Sequence, residues 1–446
     1  MKLRDVKTTW FLLKYSVVKR SAIPYFKEVL RNQYLSGDEI EALNWRRTRE
    51  LLEYANQHVS FYRERFKAMG LNPSEIVRPE HYSQVPVLTR DDLRVHFDKM
   101  VSDEARPADL RISTTGGSTG KPVKVYHQKK VVRAAMPWRM LNWWGLAPDV
   151  NVASVYRIIN EDWKSNLLNN LFWWPTKRIL LDAASVDDKS IAEFLRKFRL
   201  IRPELVHGYV GAVDYLATYI LDRKIALPSP KAIWVTSSPV TATQEVRIHE
   251  AFGAPVYDQY GGCEVYWLAA QCPKKEGLHM FHDVRRIEFL SKDNAPVTAG
   301  ELGRIAITDL ENKYFPLIRY LNGDEGRALP KNCSCGVNLP LMDKVRGRIS
   351  DTIKLPNGAV VGGDYLTTIF DSVPDAVCQF QVHQHKDYSI DIVVVPNTTY
   401  ANYEKVLENI RANLSTQFRN AVPVSIKQVA EIPHQSGKLR FVKSDL

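Results

Sequence analysis

From Asn151 onward, short apolar bursts alternate with longer stretches of helical period. Val152–Tyr156 and 177–181 read as strands and 188–198 as a helix. After Pro203, Leu205–Tyr209 reads as a strand running into a helix over 212–221. Ala232–Thr236 is a further strand, 243–252 a helix and 255–257 a strand again. Strands joined by helices of this length need crossover connections, so the expected sheet is buried and largely parallel. Ligands of such sheets sit at the carboxyl ends of the strands. Ser237-Ser238 and Tyr260-Gly261-Gly262 fall at those ends.

The flanking regions follow other periods. Residues 1–108 read as mostly helical, with Leu43, Trp45, Leu51, Leu52 and Ala55 close to helical spacing and Thr89 placed to cap the helix of Asp91-Asp92-Leu93. An alternating strand is expected over 123–127. A helix carrying Trp138, Trp143 and Trp144 follows, and its aromatics read as core. Past residue 280 the pattern is β-rich, with strands over 286–290, 303–308 and 317–320. A strand over 389–395, a helix over 400–418 and a strand over 424–429 suffice for a small α+β domain. The expected fold is α/β: a large N-terminal domain with mostly parallel sheets flanked by helices plus a β-rich subdomain, and a small C-terminal α+β domain. The expected division is 1–108, 109–347 and 348–446.

Composition narrows the class. At 446 residues the chain exceeds what one core usually serves. The formal net charge of +11 invites a nucleic-acid partner, but the cations are scattered among acids and no nucleic-acid-binding signature appears. Small-molecule partners are expected instead, with the chain a monomer or homodimer. Five cysteines favour a reducing compartment over a disulfide framework. No signal peptide or membrane span is evident, so the expected location is cytoplasmic. The stretch from Lys7 to Arg20 could form a basic amphipathic helix touching a membrane, with a packed or solvated helix as the default.

Residues 113–122 read S-T-T-G-G-S-T-G-K-P. A backbone so rich in glycine can close around phosphate oxygens, with N–H groups, hydroxyls and a lysine all donating. A Walker A loop would need glycine where Thr115 stands and a hydroxyl where Pro122 stands, so that class is excluded. Downstream, Tyr260-Gly261-Gly262-Cys263-Glu264 offers an aromatic face for a base and a carboxylate for Mg²⁺. Asp324 follows the apolar run Pro316-Leu317-Ile318 and could accept both ribose hydroxyls. Arg346-Gly347-Arg348 supplies cations at the supposed domain boundary, and Lys438 follows a Gly turn near the end of the chain.

The five stretches, in this order and at this spacing, resemble the adenylate-forming superfamily of acyl-CoA synthetases, luciferases and adenylation domains. The segments 51–66 and 85–94 resemble its phenylacetate–CoA ligase branch, which includes capsular polysaccharide biosynthesis proteins. The resemblance implies ATP-dependent conversion of a carboxylic acid to an acyl-adenylate, then transfer to coenzyme A, or alternatively to an amine or hydroxyl. A non-catalytic scaffold of the same fold is the third reading. It implies that Thr115, Gly116, Gly117, Ser118, Thr119, Gly120 and Lys121 cradle the phosphates. Ser238, Pro239, Asp258, Tyr260 and Gly261 would line the adenine, Glu264 would bind Mg²⁺, and Asp324 and Arg348 would serve the ribose. Lys438 would carry adenylation chemistry on a mobile C-terminal domain, and Tyr209, Val210, Gly211 and Ser237 would line the acyl pocket. Two positions depart from the family pattern: Ser350, followed by Asp351, replaces the hinge acid, and Gly116 replaces a hydroxyl residue.

Cys272 and His279 form one short knuckle and Cys333 and Cys335 another. Four such ligands would close a tetrahedral structural Zn²⁺ site, and some relatives in the branch are similar at these positions. Ordinary reduced cysteines are the alternative. Cys263 and Cys378 have no assigned role.

Overall fold

The computed structural model of the chain describes residues 6–18, 20–115, 123–131, 134–156, 172–183, 188–345, 353–356, 360–361, 366, 376–418, 421–430, 432 and 442–446. The chain opens with helices α1 (Val6–Val18), α2 (Ala22–Asn32), α3 (Gly37–His58) and α4 (Ser60–Ala68), followed after two short 3₁₀ turns by α5 (Arg90–Val95). Two of these starts are written in the sequence as capping boxes. Ser36 accepts from the Glu39 N–H while Glu39 accepts from the Ser36 N–H, and Thr89 and Asp92 repeat the arrangement at α5.

Strands β1 (Leu110–Thr115) and β2 (Val123–Gln128) pair antiparallel with Thr115 opposite Val123, and α6 (Ala135–Trp143) follows. The alternating region then gives β3 (Val152–Tyr156), β4 (Arg178–Asp182), α7 (Asp188–Ile201), β5 (Leu205–Tyr209), α8 (Val210–Asp222), β6 (Ala232–Thr236), α9 (Ala242–Phe252) and β7 (Val256–Tyr260). Short strands β8 (Ala269–Gln271) and β9 (Leu278–Met280) lead to β10 (Arg285–Leu290), β11 (Gly303–Asp309), β12 (Tyr320–Gly326), β13 (Ala328–Leu329) and β14 (Leu341–Met342).

A nine-stranded sheet runs β13-β14-β9-β8-β7-β6-β5-β3-β4. Its β4, β3, β5, β6 and β7 are mutually parallel and the remainder antiparallel. Both faces are covered, which is why β6 is buried at all five positions. On one face α7 lays down Ile191, Phe194, Leu195 and Phe198 at helical spacing. Each such burial contributes about 2 kcal/mol. The other face packs Trp144, Trp234 and Tyr257 beside Trp138, with α1 and α2 outside them. There Arg139 and Asp283, both fully buried, form an ion pair at 2.9 Å, with the guanidinium over the Phe281 ring. The expected tryptophan core is therefore present, with Trp143 half-buried and donating to Gln33.

Strands β10, β11 and β12 make a separate antiparallel sheet that packs with α3 to α5. Here the structure departs from the expected strand over 317–320. The chain enters the ladder only at Tyr320, so Asp324 lies inside β12 rather than beyond a strand. The apolar run before it is fixed by other groups. The Tyr62 hydroxyl donates to the Pro316 carbonyl and accepts from the Ile318 N–H, and Arg319, at φ +51°, buries its guanidinium against the Val85 carbonyl and Glu288.

The C-terminal strands are β15 (Ile353–Lys354), β16 (Val360–Val361), β17 (Val377–Gln384), β18 (Ile390–Pro396), β19 (Val424–Gln428) and β20 (Val442–Ser444), with helix α10 (Tyr403–Gln417). Four of them form a sheet in the order β19-β18-β17-β20. Their apolar cluster draws only on residues from Ile353 onward. The chain is α/β as expected, with a β-rich part and a small α+β part after the large sheet.

Candidate functional site

Parallel pairing aligns the carboxyl ends of β3, β5, β6 and β7. Tyr209 lies opposite Thr236, and Val235 opposite Asp258, so Tyr209, Ser237 and Tyr260 come to one edge. The Tyr209 ring meets Tyr156 at 4.0 Å between centroids. Beneath them His207 stacks on Trp234 at 4.0 Å. Burial, with Arg178 adding to it, pushes this imidazole down to about 3, so it is neutral and serves as floor rather than acid or base. Val210 opens α8 and is buried, whereas a side chain at Gly211 would meet nothing within 4 Å. Ser237 sits at φ +86°, a strained conformation for a residue with a Cβ, in the turn that leads to Ser238 and Pro239.

Asp258 is buried beneath that turn, where its carboxylate accepts from the Val240 N–H at 3.4 Å. Lys344 donates to the Val240 carbonyl at 2.9 Å from the other side. Burial raises the Asp258 carboxyl to about 7, with Lys344 and the backbone N–H groups pulling it down only in part. A folded value above the unfolded one stabilises the protein fully below the unfolded value, and that contribution is lost as pH rises through about 7. Asp258→Asn keeps an acceptor for Val240 and is expected to be more stable than the native chain at pH 8, by on the order of 1–3 kcal/mol, with the gap clearly narrower at pH 5 and closed only below about pH 4. Denaturant midpoints at the two pH values check this. A gap that widens toward acid pH would refute the burial of an ionisable Asp258.

Past β7 the chain turns sharply: a Cβ at Gly261 would lie 2.8 Å from the Gln259 amide and 3.0 Å from the Trp267 backbone nitrogen. The Tyr260 hydroxyl donates to Asp324 at 2.9 Å. Asn322 donates to the same Asp324 oxygen at 2.7 Å and to the Tyr260 hydroxyl at 2.6 Å. Glu264, buried, faces Arg90 at 3.5 Å and accepts from the Tyr320 hydroxyl at 3.3 Å. Arg90 also donates to the Asn322 carbonyl at 2.6 Å, so it joins the Asp324 cluster to Glu264.

The β1–β2 pair is anchored to the same loop. Ser113 meets the Tyr266 hydroxyl at 3.3 Å, and the His127 Nε2–H donates to the Cys263 carbonyl at 2.8 Å. Thr115 and Val123 thus lie opposite each other on a strand pair tied to the Cys263–Tyr266 segment. Gly116, Gly117, Ser118, Thr119, Gly120, Lys121, Arg348, Ser350, Asp351 and Lys438 lie outside the described residues, and Thr115 is placed only as the last residue of β1.

Two residues of this cluster were missed by sequence reasoning. Asn322 is two positions from Asp324, hence on the same face of a strand. Arg90 is the first residue of α5, where a cation opposes the helix dipole, and that misfit was the available signal.

A second cluster lies beyond β8 and β13. The sulfurs of Cys272 and Cys333 are 3.5 Å apart, Cys335 Sγ is 3.3 Å from His279 Nε2, and all four ligand atoms lie within 4.8 Å of one another. The His279 Nδ1–H donates to the Leu339 carbonyl at 3.1 Å, which turns the Nε2 lone pair toward the sulfurs. Burial pushes the Cys272 and Cys333 thiols up, as expected of ligands that need a cation to ionise. The donor set, spacing and outer hydrogen bond fit tetrahedral zinc. A second group, His383, His385 and Asp445, is a surface network of ion pairs: His383 binds Asp445, and His385 binds Asp391, which also takes Lys427.

Comparison with known proteins places this geometry. The structure of 2-hydroxyisobutyryl-CoA ligase with its acyl-AMP and coenzyme A, in the thioesterification state, is similar over 93% of this chain and 91% of that one, with a TM-score of 0.64 at 20% identity. The fold is that of an adenylate-forming ligase. Residues 353–445 match the CapK C-terminal domain family. Protein CapK of Staphylococcus aureus is 25% identical over 95% of this chain and 92% of its own length. Phenylacetate-coenzyme A ligase of Escherichia coli is 24% identical over 90% and 94%. Over most of its length the chain is thus similar to CapK and to phenylacetate-coenzyme A ligases. Among the described residues no helix is long and apolar enough to cross a membrane.

Proposed function

We propose that the protein is an AMP-forming ligase that activates a carboxylic acid and hands the acyl group to coenzyme A. The observation that supports this best is the cluster of Tyr260, Asn322, Asp324, Arg90 and Glu264 beside the carboxyl ends of parallel strands. Asp324, held by Tyr260 and Asn322, has the acceptor geometry for a ribose diol. Tyr260, Gly261, Ser238 and Pro239 line the adenine, with Asp258 acting from below as support for the Ser238–Pro239 turn. Residues 115–121 take the β- and γ-phosphates and Arg348 the ribose. Glu264 would hold Mg²⁺, which would supply neutralisation of phosphate charge when bound.

In the first step an oxygen of the substrate carboxylate attacks the α-phosphorus, and the bond to the β-phosphate bridging oxygen breaks to release pyrophosphate. In the second, a thiol attacks the acyl carbon and AMP leaves. The chain contributes position and charge rather than a covalent intermediate. Tyr209, Val210, Gly211 and Ser237 form the acyl pocket, where the open space beside Gly211 admits the substrate. We further propose that residues 1–108 and 109–347 form the large domain, and that 348–446 is a mobile unit bringing Lys438 to the phosphate. Cys272, His279, Cys333 and Cys335 hold structural zinc.

Ser350 at the hinge position favours a second reading, in which an amine or hydroxyl replaces the thiol. Pyrophosphate exchange dependent on an added carboxylic acid, screened over aryl, short acyl and amino acids, tests adenylation. AMP release with coenzyme A against amines then assigns the acceptor. No exchange with any acid would overturn the ligase reading, and acid-dependent exchange with amine-only AMP release would overturn the thiol.

A further inference from the structure

Helix α1 has two apolar faces, and only one of them is used. At 100° per residue, Phe11, Leu12 and Tyr15 point into the protein, where Phe11 stacks on Trp173 and Tyr15 meets Trp138 edge-on. Thr8 ties the same face to Asp149 at 2.8 Å. On the opposite side Val6, Trp10, Leu13 and Val17 fall within an arc of about 60°. They are 84%, 50%, 56% and 81% exposed. Nothing in the fold of a soluble ligase asks for four large apolar side chains in a row facing water, and such a patch marks an interaction surface.

The borders of the stripe say what it meets. Lys7, which also pairs with Asp149 at 3.8 Å, and Lys14 run along one side of it, and Thr9 and Ser16 along the other. The helix carries no acidic residue in its first turn or anywhere within 6–18. Lys14 reaches the carbonyl of Trp174, itself an exposed tryptophan at 61%, which extends the apolar surface beyond the helix. Arg20 just past the helix and Lys177 beyond Trp174 are also exposed. An apolar stripe with tryptophan, edged by lysine on one side and hydroxyls on the other, is the design of a helix lying in a bilayer interface. A second copy of the chain is a poorer match. A stable dimer buries about 800 Å² per partner, and four such side chains offer about half of that.

We propose that α1, fixed to the body of the protein by its inner face, docks the chain on an anionic membrane surface through Val6, Trp10, Leu13 and Val17. This surface is independent of the ligase chemistry, because none of its residues lies in the site described above.

Cosedimentation of the full chain with vesicles tests it, using phosphatidylcholine alone and phosphatidylcholine with one part in three of phosphatidylglycerol. The native chain is expected to partition onto the anionic vesicles and to be released by added salt. Leu13→Glu with Val17→Glu is expected to lower the partition coefficient about tenfold or more, with an unchanged near-ultraviolet circular dichroism spectrum. Met69→Glu, which charges an exposed apolar residue just past α4, is expected to bind as the native chain does. Absence of binding, equal binding to neutral vesicles, or undiminished binding by the double variant would each overturn the proposal. So would a native dimer that the double variant converts to a monomer, which would assign the stripe to a second copy.

Discussion

Lys438→Ala is expected to lower carboxylate-dependent pyrophosphate exchange by about 10³-fold while ATP still binds and the chain still folds. Attack by a carboxylate anion on a polyphosphate brings two negatively charged groups together, and the charge is greatest at the pentacovalent stage. A cation present then, and not in the ground state, lowers the barrier without tightening substrate binding. The site described here has little cationic charge to spare for that task. Arg90 is committed to Glu264 and the Asn322 carbonyl, and Lys344 to the Val240 carbonyl and Glu245. The proposed supply is therefore Lys438, carried on the C-terminal unit. Steady-state exchange together with ATP binding by calorimetry separates the two effects. A variant with full exchange would remove Lys438 from the mechanism, and one that loses ATP binding in parallel would make it a ground-state contact.

The central sheet was legible because its physics is simple. A parallel strand covered on both faces must be apolar throughout, and its crossover helix must carry an apolar stripe. Ala232–Thr236 meets that condition up to its last residue, Val152–Tyr156 and Leu205–Tyr209 depart from it inside the strand only at Ser154 and His207, and the observed bounds of all three equal those expected. Reading failed at β12 for the converse reason. Its inward positions include Asn322 and Asp324, so the strand lacks the apolar alternation that announces one, while the apolar 315–318 run beside it is held by the Tyr62 hydroxyl instead of a ladder. Polar residues facing inward are what a binding site requires, and they erase the pattern that would have located the strand.

The candidate site divides in the same way. Tyr260, Glu264 and Asp324 stand out because tyrosine, glycine and carboxylate at strand ends have few structural uses. Asn322 and Arg90 act by bridging elements far apart in the chain, and no local pattern reports a contact across 232 residues. Asp258 was read as an adenine neighbour, and the structure gives its side chain a position beneath the Val240 turn.

Zinc removal should produce the second large effect. The purified chain is expected to hold about one zinc, and Cys333→Ser with Cys335→Ser to hold none. Losing a structural metal costs at least about 3 kcal/mol, which at about 2–4 °C per kcal/mol lowers the thermal midpoint by roughly 6–12 °C. A chelator should lower the native midpoint by a similar amount and leave the double variant unmoved. This distinguishes zinc from three reduced cysteines beside a histidine, where replacing Cys333 and Cys335 would weaken packing but chelation would change nothing. A zinc-free native chain whose midpoint ignores the chelator would overturn the assignment. The consequence reaches the site through the sheet. Cys272 directly follows β8, which pairs with the end of β7 at Tyr260, and His279 lies in β9 against β14, two residues before Lys344. Cys333 and Cys335 lie on the segment that leaves β12 and β13, past Asp324. A metal joining these knuckles fixes the strand that carries Tyr260 relative to the one that carries Asp324. Its loss is therefore expected to raise the KM for ATP at temperatures where the variant is still folded, by slackening the 2.9 Å contact between those two residues.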